Sequence, residues 1–349
     1  MKKIINIAIN PCGIGGTETF SRILNKQFDE SVTFSFAHLK QPIYKADYSI
    51  IHKNKIKRVL KNLPFLKIKY LYNLPKAKNK IIILNAPCDL DRIPIEYLKN
   101  NKVIYVAHNY PNHILKHKNY LGKNKIDRLK KFNYVDHIVS LSNEYIKDFS
   151  NIFNIQKNKI STLNHTIEIN ALLKPKDYIP TIITICRLDN NQKRLDLFLK
   201  VASKMLDLKF KIYGDGPDKQ LISNMAKDLS NVVLCGQTNE LVKAHQSAGI
   251  FLMTSDFEGS PISLIEALSQ GTPIIIAQNS FSRATDIVKN NYNGFVCEKF
   301  NVDEINEKVK IIKSNYIKFS SNAIKSFEQF NQKSFKKEWG LLFNKMYNK

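Results

Sequence analysis

The stretch D-F-E-G-S-P-I-S-L-I-E-A-L-S-Q-G-T-P, residues 256–273, decides the fold that this sequence predicts. It follows G-I-F-L-M-T-S at residues 249–255, an apolar run that is typical of a short buried strand. Ser260 and Pro261 predict a helix start, with the hydroxyl as N-cap and the proline ring at the first helical position. Gly271 predicts the end of that helix. The stretch therefore indicates one strand–loop–helix repeat of an α/β protein.

Two carboxylates flank the start of this helix. Glu258 comes just before it, and Glu266 lies inside it after seven intervening residues. The free N–H groups of a helix N-terminus favour a phosphate, and carboxylates accept hydrogen bonds from ribose and sugar hydroxyls. The pattern predicts a nucleotide-sugar site. The alternative is an ordinary α/β repeat in which Glu266 is a solvated helix residue.

Length and composition indicate a two-domain globular protein with an excess of positive charge. The chain has 349 residues, of which 43% are hydrophobic and 24% charged, and its net charge is +24. Residues 1–170 hold 29 Lys and Arg against 12 Asp and Glu, so most of the excess lies in the first half. Such a charge favours anionic partners, namely lipid headgroups, acidic glycans or nucleic acid. The alternative explanation of the positive charge is a general bias of the composition towards lysine.

The cysteines and the apolar runs indicate the cellular compartment in which we expect the protein. Five scattered cysteines without a C-x-x-C pair argue for a reducing environment and against a zinc site or a disulfide framework. The apolar run at residues 4–9 is too short for a signal peptide, and no run reaches the length of a membrane-spanning helix. We therefore expect a cytoplasmic protein, either free or peripheral on the inner face of the cell membrane.

Two successive arrays of alternating strands and helices follow each other along the chain. The first occupies residues 1–170, a linker is predicted at 170–180, and the second array extends to residue 330. Short loops between alternating elements predict two doubly wound, mostly parallel domains. Residues 331–349 carry apolar side chains at helical spacing and predict a further helix that faces a core.

The first array holds four candidate features, each with an alternative. The glycine-rich loop at 13–18 is either a phosphate-binding loop or an ordinary tight turn. His108 follows a predicted strand, where it either binds a ligand or has a structural role. Asp89-Leu90-Asp91 is better explained as a turn or helix cap than as a metal site. Residues 44–80 form a basic, partly apolar segment that contacts an anionic membrane surface or packs on its own domain.

The second array brings cations to the same predicted sheet edge as the helix start. Arg187 and Lys193 follow the first strand of this array, and Y-G-D-G-P at 213–217 follows the second. Carboxyl ends of parallel strands share one edge, so both cations are expected near Ser260. There they can hold a diphosphate and neutralise its charge as it leaves.

Four segments in this order resemble the retaining glycosyltransferases of family 4, the glycosyl transferases group 1. The segments are G-G-T-E at 15–18, R-L through Q-K at 187–193, Y-G-D-G-P at 213–217, and E-x7-E at 258–266. The resemblance covers nearly the whole chain and implies a GT-B fold, two Rossmann-like domains facing across a cleft. It also implies that the N-terminal domain receives the acceptor and that the last helix returns to that domain.

The resemblance implies a role for each matching residue. Arg187 and Lys193 contact the donor diphosphate, Glu258 holds the transferred sugar, Glu266 binds the ribose hydroxyls, and His108 contacts the sugar. The expected catalytic residues are thus Arg187, Lys193, Glu258 and His108. The expected donor-binding residues are Gly15, Gly16, Gly214, Gly259, Ser260, Pro261, Ile262 and Glu266. The family requires no metal and no cofactor. Two departures are Cys186 and Arg194, each of which stands where the family often has glycine.

The expected function is transfer of a hexose or N-acetylhexosamine from a nucleotide-sugar to a glycan or lipid-linked acceptor. The expected donor is a UDP-sugar, and the expected process is surface polysaccharide or lipopolysaccharide synthesis. One alternative is a non-hydrolysing sugar-nucleotide epimerase on the same fold. Another is a basic nucleic-acid-binding protein, but no base-reading motif supports it, so nucleic acid is not expected as a partner.

Overall fold

The computed structural model describes residues 3–8, 16–35, 48–50, 74, 76–108, 111, 114, 125–143, 145–258, 260–277 and 284–348. Its contacts divide the chain into two compact units. The first unit consists of Met1–His165 and Phe335–Lys349, and the second of Thr166–Ser334. Most of the basic segment 44–80 lies outside the described residues, as do Gly15 and Gly259.

The first unit contains a parallel sheet of seven strands. These strands are β1 (Ile4–Ala8), β2 (Ser31–Ser35), β3 (Tyr48–Ile50), β4 (Ile81–Leu84), β5 (Lys102–Ala107), β6 (His137–Ser140) and β7 (Ile160–Thr162). Their order across the sheet is β3-β2-β1-β4-β5-β6-β7. The helices described in this unit are α1 (Gly16–Gln27), α2 (Pro87–Arg92), α3 (Ile95–Lys99), α4 (Lys125–Phe132) and α5 (Ile146–Phe153).

Both faces of this sheet are buried, which explains why its strands are continuous apolar runs. Along β4, Ile82 and Leu84 join one hydrophobic cluster, while Ile81 and Ile83 join the cluster on the opposite face. The second cluster is completed by the last helix, α14 (Gln332–Tyr347). This helix contributes Phe335, Trp339, Leu342, Phe343 and Met346, all of them buried.

The second unit contains a parallel sheet of six strands. These are β8 (Thr181–Ile185), β9 (Lys209–Tyr213), β10 (Val232–Gly236), β11 (Ile250–Met253), β12 (Ile274–Ala277) and β13 (Gly294–Cys297). Its helices are α6 (Asn190–Lys193), α7 (Leu195–Ala202), α8 (Lys219–Ala226), α9 (Leu241–Gln246), α10 (Ile262–Ser269), α11 (Ala284–Ile287), α12 (Val302–Ser314) and α13 (Tyr316–Phe327).

The strand order of the second sheet is β10-β9-β8-β11-β12-β13. The chain therefore winds outwards from β8 in one direction, then returns to the centre and continues from β11 in the other direction. Ligands of such open sheets bind outside the carboxyl ends of the strands at this point of reversal. The segments that follow β8 and β11 are thus the place to look for a site.

The predicted linker at 170–180 packs as part of the second unit. Lys176 is largely buried, and its Nζ donates hydrogen bonds to the carbonyl oxygens of His245 and Ala248, 2.5 and 2.7 Å away, and to Thr272 Oγ1 at 2.8 Å. The amide of Leu172 donates to Ser269 O at 2.8 Å. The change between the two units therefore comes earlier, between His165 and Thr166.

No helix within the described ranges is both long enough and apolar enough to cross a membrane.

Candidate functional site

The loops that follow β8 and β11 meet in an ion pair between two sequence-predicted residues. Lys193 Nζ lies 2.6 Å from Glu258 Oε1. Their side chains are only 16% and 9% exposed. Charges removed from water to this degree are stable only when they are paired and hydrogen-bonded. The structure therefore joins a residue predicted to hold the diphosphate directly to one predicted to hold the sugar.

Hydrogen bonds fix the backbone around Lys193. Thr254 Oγ1 donates to Lys193 O at 3.0 Å, and the amide of Asp256 donates to Gln192 O at 2.9 Å. Gln192 Nε2 in turn donates to Phe257 O at 3.1 Å. The short helix α6 is thus attached to the loop after β11 at three points, which holds Lys193 beside Glu258.

Arg194 explains one departure from the family pattern. Its φ is +49°, in the left-handed region that favours glycine. The guanidinium group contacts Asp196 Oδ2 at 2.9 Å and Asp256 Oδ1 at 3.3 Å, and the hydrogen bond to Asp196 raises the pKa of Arg194. These ion pairs offset a backbone conformation that is unfavourable for arginine, so the turn after Lys193 has the shape that glycine would give it.

Arg187 lies at the carboxyl end of β8 with its side chain exposed. Within the described part of the chain, its guanidinium group forms no hydrogen bond or ion pair. Lys193 is already neutralised by Glu258, whereas Arg187 is not neutralised. Between these two sequence-predicted residues, Arg187 is therefore the one whose charge is available to a ligand among the residues that the structure describes.

The turn after β9 packs against the loop that carries Arg187. A Cβ atom on Gly214 would lie 1.8 Å from Cys186 O, and one on Gly216 would lie 2.4 Å from Leu188 O. The amide of Leu188 donates to Asp215 O at 3.0 Å across the same contact. Gly214 therefore permits this close backbone approach, and a contact between Gly214 and a donor stays a prediction.

The helix α10 begins one residue later than predicted. Pro261, with φ −70° and ψ 105°, is the N-cap, and Ile262 is the first helical residue. The extended ψ of Pro261 keeps it out of the helix, so the prediction that Ser260 is the N-cap is wrong. Ser260 Oγ is instead buried and has no hydrogen-bond partner among the described residues. Gly271, with φ +59°, follows the end of the helix as predicted.

Glu266 lies one turn into α10 from Ile262 and above a histidine that sequence reasoning missed. Its Oε2 is 3.9 Å from His245 Nε2, and the His245 side chain is completely buried. Burial lowers the pKa of His245, and the nearby Glu266 opposes that shift. A lone histidine in the polar helix α9 gives no sequence signal, because only the fold brings it under Glu266.

His108 lies in the first unit, at the end of β5, with both ring nitrogens engaged. Nε2 is 3.0 Å from Asn85 Oδ1, and Nδ1 is 3.2 Å from His165 Nε2. Asn85 Nδ2 donates to Ile7 O at 2.8 Å and to Asn6 Oδ1, so Asn85 Oδ1 faces the imidazole as an acceptor.

This network fixes the protons on the two histidines. His108 Nε2 must donate to Asn85 Oδ1. Burial lowers the pKa of His108 to about 3, so the ring is neutral near pH 7 and its Nδ1 accepts from His165 Nε2–H. The stacked rings of His108 and His165 have centroids 5.1 Å apart. The structure thus describes His108 as a partly buried residue whose two ring nitrogens are engaged within the first unit, and its sugar contact stays a prediction.

Two other sequence candidates also have defined positions. Gly16 is the first residue of α1. Asp89 lies in the first turn of α2, where its Oδ2 accepts from the Asn85 amide at 3.2 Å, which agrees with a helix cap. Burial raises the pKa of Asp89 to about 7. The described residues contain no group of three side chains suited to a metal ion.

Comparison with known proteins identifies the second unit. Residues 165–330 match the family model described as glycosyl transferases group 1. A curated relative, the poly(ribitol-phosphate) alpha-N-acetylglucosaminyltransferase of Staphylococcus aureus, is 26% identical over 305 residues, which are 82% of this chain and 60% of the relative. The chain thus spans less than two thirds of that protein's length. Residues 165–330 therefore form a domain of the type described as glycosyl transferases group 1.

Solved structures confirm the predicted fold class. The lipopolysaccharide outer core galactosyltransferase WaaB superposes with a TM-score of 0.68 at 19% identity, covering 98% of this chain and 99% of that one. The Anabaena protein HepE in complex with UDP superposes with a TM-score of 0.74 at 13% identity, covering 98% and 100%. With two parallel, doubly wound sheets and these neighbours, the chain has the GT-B fold.

Proposed function

We propose that this protein is a retaining glycosyltransferase of family 4 that moves a hexose or N-acetylhexosamine from a UDP-sugar to a glycan or lipid-linked acceptor. The observation that carries the proposal is the Lys193–Glu258 pair, 2.6 Å apart, at the point where the strand order of the second sheet reverses. Charged groups held at this position are typical of a binding site in an open α/β sheet.

The residues around this pair can each perform one part of donor binding. Arg187 has no ion-pair partner among the described residues and can bind the diphosphate with two parallel hydrogen bonds. Lys193 can share its charge between Glu258 and the diphosphate, and so neutralise the leaving group as the sugar departs. Such neutralisation needs no metal or other cofactor, so we propose that none is required.

The start of α10 supplies neutral donors next to these cations. The amides of a helix N-terminus favour a phosphate oxygen, and the buried, unbonded Ser260 Oγ adds a hydroxyl at the same place. Glu266 then accepts from the ribose hydroxyls. Glu258 accepts from hydroxyls of the transferred sugar with the carboxylate oxygen that Lys193 leaves free. The two glutamates therefore bind the donor, and neither acts as a general base.

The compared proteins support the choice of donor and acceptor classes. HepE is described in complex with UDP, and WaaB is named as a lipopolysaccharide galactosyltransferase. The S. aureus relative is named for a polymer of ribitol phosphate, which is an anionic acceptor. Because the first half of this chain carries most of the positive charge, an acceptor in surface polysaccharide or lipopolysaccharide synthesis suits it. We place the enzyme in the cytoplasm, peripheral on the inner face of the cell membrane.

The proposal is tested by sugar transfer from UDP-, GDP- and ADP-sugars to glycan and lipid-linked acceptors. Glu266→Ala and Lys193→Ala are expected to lower transfer by at least about 100-fold, since each removes a charged donor contact. Glu298→Ala, which removes an exposed carboxylate from the same unit, is the matched control and should transfer at the wild-type rate.

Two results would contradict the proposal. Wild-type rates of sugar transfer in both site variants would show that Lys193 and Glu266 do not belong to the donor site. Conversion of the UDP-sugar to its epimer without any acceptor would instead identify an epimerase. Thermal unfolding of each variant, with and without donor, separates a lost contact from a lost fold, because a bound donor stabilises the folded state.

A further inference from the structure

The first unit contains a cavity of about 700 Å³ at the edge of its sheet opposite to His108. His108 follows the carboxyl end of β5, whereas the cavity lies where β4, β5, β6 and β7 begin. Its lining includes Lys80, Lys102, Lys159, Asn79, Asn133 and Asp136. Ligands of open α/β sheets bind at the carboxyl edge, so this cavity lies apart from the edge where the donor or acceptor is expected.

Lysines stand at the start of three of these four strands. Lys80 precedes β4, Lys102 is the first residue of β5, and Lys159 precedes β7. All three are partly buried. The fourth strand, β6, is preceded by Asp136, whose Oδ2 accepts from the Val103 amide at 2.8 Å. The three lysines therefore converge on one concave surface because the sheet places their strands side by side.

None of the described carboxylates pairs with these three lysines. Within the ranges that the structure describes, no carboxylate lies within 4.0 Å of the amino groups of Lys80, Lys102 or Lys159. Asp136, the single carboxylate among the described lining residues, already accepts a hydrogen bond from the backbone. A cavity of this size whose cations outnumber its carboxylates has a positive potential, which concave low-dielectric walls focus.

The helix dipoles at this edge do not account for the charge. Helix α3 ends here, and its partly negative C-terminus favours one cation. Lys99 is in the last turn of α3 and fills that role, with its Nζ 5.5 Å from the centre of the Tyr134 ring. Lys80, Lys102 and Lys159 are additional to it.

Neutral donors complete the lining. Asn79 has a φ of +56°, a conformation that is uncommon outside glycine and that asparagine tolerates. Asn133 adds a second amide, and Tyr134 and Tyr347 add phenol groups. Ammonium, amide and phenol groups together offer the donors that a tetrahedral anion with several acceptor oxygens requires. The volume also falls within the range of small-ligand pockets, roughly 300–1,000 Å³.

We propose that this cavity binds the phosphate group of a phosphate ester, with Lys80, Lys102 and Lys159 as its cations. The ester is either a small soluble molecule or the headgroup of an anionic lipid, and both present the same phosphate oxygens. The site does not depend on the proposed sugar transfer, because its residues are separate from those of the second unit.

The test is titration calorimetry of the full-length protein at low ionic strength with inorganic phosphate and with glycerol phosphate. A parallel measurement follows cosedimentation with phosphatidylglycerol vesicles and with neutral phosphatidylcholine vesicles. The site variant is Lys80→Gln/Lys102→Gln/Lys159→Gln. Its expected effect is a dissociation constant about tenfold or more above that of the wild type, because charge-assisted hydrogen bonds are lost.

The matched control is Lys130→Gln/Lys147→Gln/Lys157→Gln, which removes three exposed lysines of the same unit that do not line the cavity. Wild-type affinity in the control, with weakened binding in the site variant, supports the proposal. Binding of glycerol phosphate indicates a soluble ester, whereas binding only of phosphatidylglycerol vesicles indicates a lipid headgroup. Two results overturn the proposal. One is an equal loss of affinity in the site variant and the control variant, and the other is that the wild type binds none of these probes. Thermal unfolding of both variants verifies that they fold.

Discussion

At the scale of single residues, the structure changes how His108 is understood. The sequence places it after a strand, and the family resemblance implies contact with the sugar. The structure shows an imidazole whose two nitrogens are bonded to Asn85 and His165 and whose pKa burial lowers to about 3. A neutral ring with two hydrogen bonds joins Asn85 and His165 in one polar network of the first unit, and this has a measurable effect on the pH dependence of stability.

We expect His108 to make the protein less stable in acid. In the unfolded chain a histidine has its ordinary pKa of 6.5, but burial lowers the pKa of His108 in the folded protein to about 3. Between those values the unfolded state binds the extra proton, so the free energy of unfolding falls as the pH falls, by at most about 1.4 kcal/mol per pH unit. Urea unfolding of the wild type and His108→Gln from neutral to acidic pH measures this effect.

The difference in stability between the two proteins should shrink as the pH falls below 6.5. Comparison with the variant is necessary because Asp89 acts in the opposite direction. Burial raises the pKa of Asp89 from 3.8 to about 7, so its contribution is present at low pH and is lost as the pH rises. Parallel pH curves for the wild type and His108→Gln would contradict the assignment.

Some residues of the candidate site could be predicted from the sequence, and others could not. Arg187 and Lys193 could be selected because they follow a predicted strand, and Glu258 and Glu266 because they flank a predicted helix start with the spacing of the family's E-x7-E motif. The direct pairing of Lys193 with Glu258 could not be predicted, since the two residues are far apart in the chain and only the sheet order joins them. No sequence pattern indicates His245. Arg194 departs from the glycine of the family pattern, and only its positive φ in the structure explains that departure.

At the scale of elements, the turn after β9 is the clearest case of backbone packing against a functional loop. Gly214 has a φ of +138° and touches the backbone of Cys186. Since a carbonyl oxygen of the backbone cannot move aside as a flexible side chain can, any Cβ atom at this position must displace the loop that begins with Arg187. Stability and donor binding are therefore coupled at this turn.

We expect Gly214→Ala to destabilise the protein by about 3 kcal/mol or more, because the new methyl group would lie 1.8 Å from Cys186 O. Gly236→Ala is the control. Gly236 also has a positive φ, +70°, but a Cβ atom there would meet nothing within 4 Å, so only about 1 kcal/mol of backbone strain is expected. Urea unfolding of both variants gives the two values, and similar losses would show that the contact with Cys186 is not the cause.

Elements with strong apolar patterns were predicted well, and weaker ones were missed. The strands I-I-I-L and T-I-I-T-I, β4 and β8, are buried on both faces and therefore read as continuous apolar runs. Strand β2, S-V-T-F-S, alternates polar residues and lies nearer the edge of its sheet, so its sequence resembles a loop. At α10, Pro261 displaced the expected start by one residue because ψ, which the ring does not fix, is extended.

At the scale of the whole molecule, the last helix belongs to the first unit. Five side chains of α14 are buried in a cluster with Ile4, Phe20 and Phe28. At about 2 kcal/mol for each buried side chain, the helix contributes roughly 10 kcal/mol before entropy is subtracted. This value is comparable to the whole stability of a typical domain.

We expect deletion of residues 335–349 to unfold the first unit and expose its apolar core, while the second unit stays folded. The measurements are binding of a hydrophobic dye and partial loss of helical circular dichroism. Deletion of residues 348–349 alone, which keeps every buried side chain of α14, is the control and should behave as the wild type. A shortened chain that binds no dye and keeps its cooperative unfolding would contradict the role of α14.

The position of α14 in the chain also sets an order in time. A ribosome makes residues 1–165 first, then all of Thr166–Ser334, and only then the segment that completes the first core. The second unit has every strand and helix that it needs before that segment is made, so it can fold first even though it is synthesised second. During this interval the nascent first unit presents the apolar face around Phe20 and Ile4, and exposed apolar surface of this kind is prone to aggregation. Because Trp339 is the single tryptophan of the sequence, its fluorescence would report when that interval ends.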